Sequence, residues 1–189
     1  ITTLEEMRKV KAMVLRARRQ LTRKGQSQGE VSIGLMLEVP AASVCIDQLL
    51  ELVDFVSIGS NDLVQYLMAA DRDNPKANHL CQPLSPAVAR VLCDVIRTCN
   101  EFGKPVTLCG EMAGSPRGFL LLLGLGLRSF SMSPAFIPTI KDLTSHLSAT
   151  EARRIADEAL RFKTSGQIIR YLGEQISRLA PNLGLLDSA

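Results

Sequence analysis

A short apolar stretch that hands over to a helical one recurs four times along the 189-residue chain, and that repetition restricts the fold more than any other feature. Residues 31–39 (VSIGLMLEV) are apolar, partly β-branched and too few for a lone buried helix, and Pro40 then opens an apolar helix over residues 41–52. Residues 53–58 (VDFVSI) lead through Gly59, Ser60, Asn61 and Asp62 into a second helix. Residues 105–108 (PVTL) lead through Cys109, Gly110 and Glu111 to Ser115, Pro116 and a third, and residues 127–132 (LRSFSM) form the fourth strand, with Ser133 and Pro134 starting the helix after it. Between the second and third units, Ser85 as N-cap and Pro86 at the first helical position begin a long helix that Gly103 ends. Nearly continuous apolar strands alternating with helices indicate a parallel sheet covered by helices, an α/β fold. Four units are half of the eight that close a (β/α)8 barrel, although the pattern alone fits an open sheet equally.

Both ends of the chain are helical. Thr3 and Glu6 make a capping box for a first helix over residues 4–24, and after Ser148 the chain is wholly helical, with a second box at Ser148 and Glu151 and further helix over residues 167–179. Opening on Ile1 and entering helix at once, the sequence reads as part of a longer protein, with residues 1–147 as its α/β portion and residues 148–189 as a helical extension.

The charge and cysteine patterns exclude several classes. The net charge of +3 comes from bases crowded between Arg8 and Lys24, but aromatics make up only 4% of the chain and Trp is absent, so the stacking partners of a nucleic-acid surface are missing and the cluster reads as a solvated helix face. Five cysteines, an odd number with no Cys-x-x-Cys pair, argue against a disulfide framework or a structural zinc and point to a reducing cytoplasm. Cys45, Cys93 and Cys99 fall inside amphipathic helices and are expected in the core. His79 and His146 have no His partner at metal spacing and are read as structural or surface residues. No apolar run reaches the roughly 20 residues a membrane-spanning helix needs.

Chemistry in a parallel α/β domain collects where strands end, because side chains from several strands converge there. Glu38 and Asp62 are carboxylates at successive strand ends. Adjacent strands lie about 4.8 Å apart, so the pair can share one hard cation, and magnesium suits two carboxylates completed by water and phosphate oxygens. The turn Gly59-Ser60-Asn61-Asp62 aims backbone NH groups outward near a helix N-terminus, as an anion site would. Arg72 either returns a bidentate guanidinium to that anion or is a plain exposed residue in a charged run; spacing leaves both open. Cys109, unlike the helical cysteines, ends a strand before a polar loop, where a thiol can serve as acid or nucleophile.

The segments GLMLEVPAA (residues 34–42), VDFVSIGSNDLVQYLMAADR (53–72), QPLSPAV (82–88), LCGEMAG (108–114) and LLLGLGLRSFSMSP (121–134) closely resemble the phosphoenolpyruvate-utilising enzymes, and within them the phosphoenolpyruvate-protein phosphotransferase branch. The resemblance covers nearly all of residues 1–147. It implies a C-terminal half barrel, about strands five to eight, and a transfer of phosphate from phosphoenolpyruvate to a protein histidine with release of pyruvate. It also implies Mg2+ on Glu38 and Asp62, substrate contacts from Asn61, Asp62 and Arg72, and Cys109 as the proton donor to the enolate carbon. The implied partners are a histidine-bearing phosphocarrier protein and a second copy in a homodimer. Because that family holds its phosphoacceptor histidine and further substrate arginines upstream, these residues alone are expected to be inactive.

Three rival readings stand beside it. A pyruvate-phosphate dikinase or phosphoenolpyruvate synthase resembles the same domain, and a sensory or dimerisation module is the non-enzyme alternative. A metal-dependent aldolase of the pyruvate-kinase-like barrels also sets Glu and Asp on neighbouring strands, but the CGEMAG loop argues against it.

Overall fold

A computed structural model describes residues 1–182 and shows four parallel strands in the order of the chain, β1 (Gly34–Leu37), β2 (Phe55–Gly59), β3 (Val106–Cys109) and β4 (Ser129–Ser131). Helices alternate with them: α1 (Leu4–Arg23), α2 (Pro40–Val44), α3 (Ile46–Leu50), α4 (Ser60–Met68), α5 (Pro86–Glu101), α6 (Glu111–Gly114), α7 (Pro116–Gly124), α8 (Ile137–Ser145), α9 (Ala149–Ala159) and α10 (Ser165–Leu179). The α/β expectation holds, with Leu37 paired to Ile58, Ile58 to Leu108 and Leu108 to Phe130 across the sheet.

The strands are shorter than the apolar runs that announced them, and the reason is local. Asp54 takes the backbone NH of Ile33 on its carboxylate (2.7 Å) while its own NH donates to Ile33 O (2.8 Å), so the ladder begins at Gly34 rather than at residue 31. The sheet is also covered on one face only. Leu35, Leu37, Val56, Ile58, Val106 and Leu108 are buried, whereas Met36 (43% exposed), Phe55, Ser129 and Ser131 face outward, and Ser57, Thr107 and Cys109 between them are half-buried. The unbroken apolarity of residues 31–39 predicts burial on both faces, and Met36 departs from it.

The helix expected over residues 41–52 begins at Pro40 and is broken at Cys45, whose backbone (φ −106°, ψ 25°) leaves helical geometry. That corner exposes Cys45, correcting its placement in the core, while Cys93 is half-buried and Cys99 fully buried as expected. Helix α5 starts as read, with Ser85 Oγ accepting from Val88 N. Ser133 and Pro134 start only a 3-10 turn, Pro134–Phe136, before α8. The capping boxes at Thr3 and Ser148 are half formed. Glu6 bonds Thr2 N instead of the N-cap NH, and Glu151 gives its carboxylate to Arg178 (2.6 Å). The complete box is the unforeseen Thr164–Gln167 pair opening α10. The basic residues of α1 lie on a largely exposed helix with only Met7 buried, as a solvated face requires.

Helices α9 and α10 share the core with α7: Leu120, Leu121 and Leu122 are buried in one cluster with Ala152, Ile155, Ala156, Ile168, Leu172 and Ile176. The expected C-terminal helices are thus present through Leu179; residues 183–189 lie outside the described ones. Close approach depends on Gly124, where a side-chain carbon would collide with the Ala152 carbonyl and stand 2.5 Å from the Ala156 methyl. Gly124→Val is expected to lower stability by about 1–3 kcal/mol through overpacking, read as a lower midpoint in urea with an unchanged slope.

Candidate functional site

The ends of β2 and β3 are locked together by side chains from the turns that follow them. Ser60, 2% exposed, donates its hydroxyl to the carbonyl of Cys109 (2.8 Å), and Asn61 Oδ1 accepts the backbone NH of Glu111 (3.2 Å). The approach is possible because position 110 has no side chain. Gly110 sits at φ 116°, a region that L side chains rarely adopt, and a carbon added there would run into Ser60 Oγ and stand 2.9 Å from Asn61 Oδ1. With Oδ1 engaged by an NH, the amide of Asn61 is oriented, and its Nδ2 group has no protein acceptor among the described residues.

That amide faces a cleft of about 90 Å³ lined by Ser60, Asn61, Gln65, Arg72, Cys81 and Glu111, among others. Arg72, exposed in its charged run, and Asn61 line the same cleft. Asp62 lies in the first turn of α4, and its Oδ1 accepts from Gln65 Nε2 (3.3 Å). Glu38 follows β1 and lies over Gly59, where an added carbon would stand 3.0 Å from Glu38 Oε2. Both carboxylates thus flank the root of α4, and neither forms a salt bridge among the described residues. No cluster of three or more His, Cys, Asp or Glu side chains suited to a metal occurs among those residues. Neither carboxylate lines the cleft, but oxygens free of ion pairing are the donor type that magnesium takes, with most of its shell coming from water and substrate.

Cys109 ends β3 on the open face of the sheet, outside the lining of the cleft. Its thiol donates toward Ile58 O (3.4 Å) and receives Ser57 Oγ at 3.8 Å. The other cysteines behave differently: burial pushes the Cys99 thiol up to about 11, and burial followed by the nearby Asp94 carboxylate raises that of Cys93. His79 lies in the 3-10 turn Asn78–Leu80, and His146 caps α8 within 3.6 Å of Asp142, both away from the cleft. Two lining residues, Gln65 and Cys81, were not singled out from the sequence, although Gln65 stands one helical turn beyond Asp62 on the same face, and Glu111 was noted only as part of the turn after Cys109.

Comparison with known proteins places the chain in a family. Residues 1–149 match the family described as PEP-utilising enzyme, PEP-binding domain. The chain is 41% identical over 178 residues to the phosphoenolpyruvate-protein phosphotransferase of Bacillus sp. (strain S), covering 94% of this chain and 31% of that protein. It is 39% identical to the protein of the same name from Buchnera aphidicola, covering 91% and 30%. The chain thus spans about a third of the length of the curated relatives it matches. Among solved structures, a citrate lyase from Burkholderia xenovorans superposes with a TM-score of 0.55 at 19% identity, over 97% of this chain and 62% of that one, which shows a shared fold. No helix among the described residues is long and apolar enough to cross a membrane.

Two outcomes are expected. Gly110→Ala should weaken phosphoenolpyruvate binding in the full-length protein by about tenfold or more, because separating the two turns loses the hydrogen bonds at Ser60 and Asn61; titration calorimetry reads the loss. A thiol reagent at pH 8 should modify Cys45 rapidly and Cys99 only on unfolding. The folded Cys99 pKa lies above the unfolded one, so its contribution to stability is full below about 9 and disappears as pH rises through about 11.

Proposed function

Because the chain belongs to the PEP-utilising enzymes, of which it carries the PEP-binding domain, we propose that it is the substrate-binding part of a longer phosphotransferase. That protein moves the phosphoryl group of phosphoenolpyruvate to one of its own histidines, from which a phosphocarrier protein takes it, and releases pyruvate. The observation that carries the reading is the convergence of Asn61 and Arg72 on one cleft, with the turn of Cys109 bonded to it.

Each residue has a role its position supports. Arg72 and the Nδ2 group of Asn61 bind and orient the phosphate, with Asp62 beside them. Glu38 and Asp62 would hold Mg2+, which supplies positive charge to the phosphate and to the oxygen left behind when the P–O bond breaks. Cys109 delivers its proton to the methylene carbon of the departing enolate, making pyruvate, and the thiolate recovers a proton from water.

The four strands form about strands five to eight of a (β/α)8 barrel, with residues 1–147 as its partial barrel and residues 148–189 as a helical extension. Support comes from the strictly sequential strand order and from the open sheet face of Met36, Phe55, Ser57, Thr107, Ser129 and Ser131, which would line the barrel interior. The five unpaired cysteines suit a reducing cytoplasm.

The test is Mg2+-dependent transfer of labelled phosphate from phosphoenolpyruvate to the full-length parent protein without nucleotide. Wild type should acquire acid-labile label, Glu38→Ala should not, and Cys109→Ala should slow pyruvate formation by about 10²- to 10⁴-fold, the usual contribution of a general acid. Residues 1–189 alone should form no pyruvate. Turnover by them, or an unlabelled parent, would sink the proposal.

A further inference from the structure

Resting on the site reading above, we propose that Gln65 is a positioning residue that holds the metal carboxylate and the phosphate arginine in one fixed relation. Its side-chain amide is engaged at both ends. Nε2 donates to Asp62 Oδ1 at 3.3 Å, and Oε1 accepts the backbone NH of Arg72 at 2.8 Å. Its backbone carbonyl accepts Ala70 N at 3.1 Å, so one residue fastens the whole corner between α4 and Arg72. That corner needs fastening: α4 ends on Ala69 in the left-handed region (φ 49°, ψ 40°), a conformation that disfavours any residue with a Cβ, and the next carbonyl, of Ala70, is met by Cys81 Sγ at 3.3 Å.

Arg72 is exposed and lies in the charged run Asp71-Arg72-Asp73, where a long side chain on an unfastened loop would lose rotamer and backbone freedom on meeting its ligand. Gln65 removes part of that loss in advance by fixing the backbone of Arg72 at the edge of the cleft that both residues line. The same amide, donating to one oxygen of Asp62, leaves the other oxygen to face a cation. A glutamine is required because one end must donate and the other accept.

Single-turnover labelling of the full-length parent by phosphoenolpyruvate separates this role from a merely structural one. Gln65→Met keeps the shape and loses both bonds. It should raise the half-saturating concentrations of phosphoenolpyruvate and of Mg2+ by about tenfold each, with the limiting rate within about threefold of wild type and an unchanged unfolding midpoint. Gln65→Glu keeps the acceptor for Arg72 but sets a second carboxylate against Asp62. Half-saturation by phosphoenolpyruvate should then stay within about threefold, while that by Mg2+ shifts about fivefold or more. If Gln65→Met binds both within about twofold while Asp62→Asn abolishes labelling, Gln65 has no positioning role and the site stands. Labelling of Asp62→Asn at the wild-type rate would remove the site reading and this inference together. Should Gln65→Met fail to fold, equal shifts for the two ligands in Gln65→Glu overturn the proposal.

Discussion

Burial of a single face of the sheet is the constraint on which the remaining architecture depends. Leu35, Leu37, Val56, Ile58, Val106 and Leu108 are all at most 7% exposed, and the alternation of side chains along a strand then sends their neighbours to the other side. Parallel register fixes the strand ends at one level, Gly59 beside Cys109 and Cys109 beside Ser131. The turns emerging there meet because the strands beneath them are packed, and the contacts between Ser60, Asn61 and Gly110 are made within that frame. A core substitution that slipped β3 by one residue would carry Cys109 from the open face into the helices.

Much of this was legible in the residues. Apolar runs bounded by turn residues located all four strands and Ser85 with Pro86 located the start of α5, while of the strand-end candidates Glu38, Asn61, Asp62 and Cys109 it is Asn61 that lines the cleft. What escaped was set by long-range partners. The first strand lost residues 31–33 to a carboxylate at position 54, twenty-one residues away from Ile33. The second capping box was spoiled by Arg178, which takes the Glu151 carboxylate from across two helices. The break at Cys45 has no Gly or Pro to announce it. Arg72 is a case in between: spacing alone did not say where it lies, and the folded corner puts it in the lining of the cleft that Asn61 also lines.

The candidate site also sets groups that line the cleft beside groups that hold them in place. Asn61 does both, spending its oxygen on Glu111 N and keeping its Nδ2 group for the cleft. Ser60 and Gln65 belong to the second kind. Such residues are invisible to an inventory of charged and nucleophilic side chains, since their chemistry lies in hydrogen-bond polarity rather than in charge.

The sheet has two outer strands, β1 and β4, of four and three residues, and each keeps one side of its backbone without a strand partner among the described residues. Free strand edges are templates for pairing with another chain, and an open face bearing Met36 and Phe55 adds an adhesive apolar surface. Kept apart from whatever covers those edges, the chain is therefore exposed to aggregation through them, and the shortness of its outer strands is its built-in protection. During synthesis β1 stays unpaired until β2 emerges and β2 keeps an open edge until β3 follows, which makes the order in which the strands appear a matter of solubility as well as of shape.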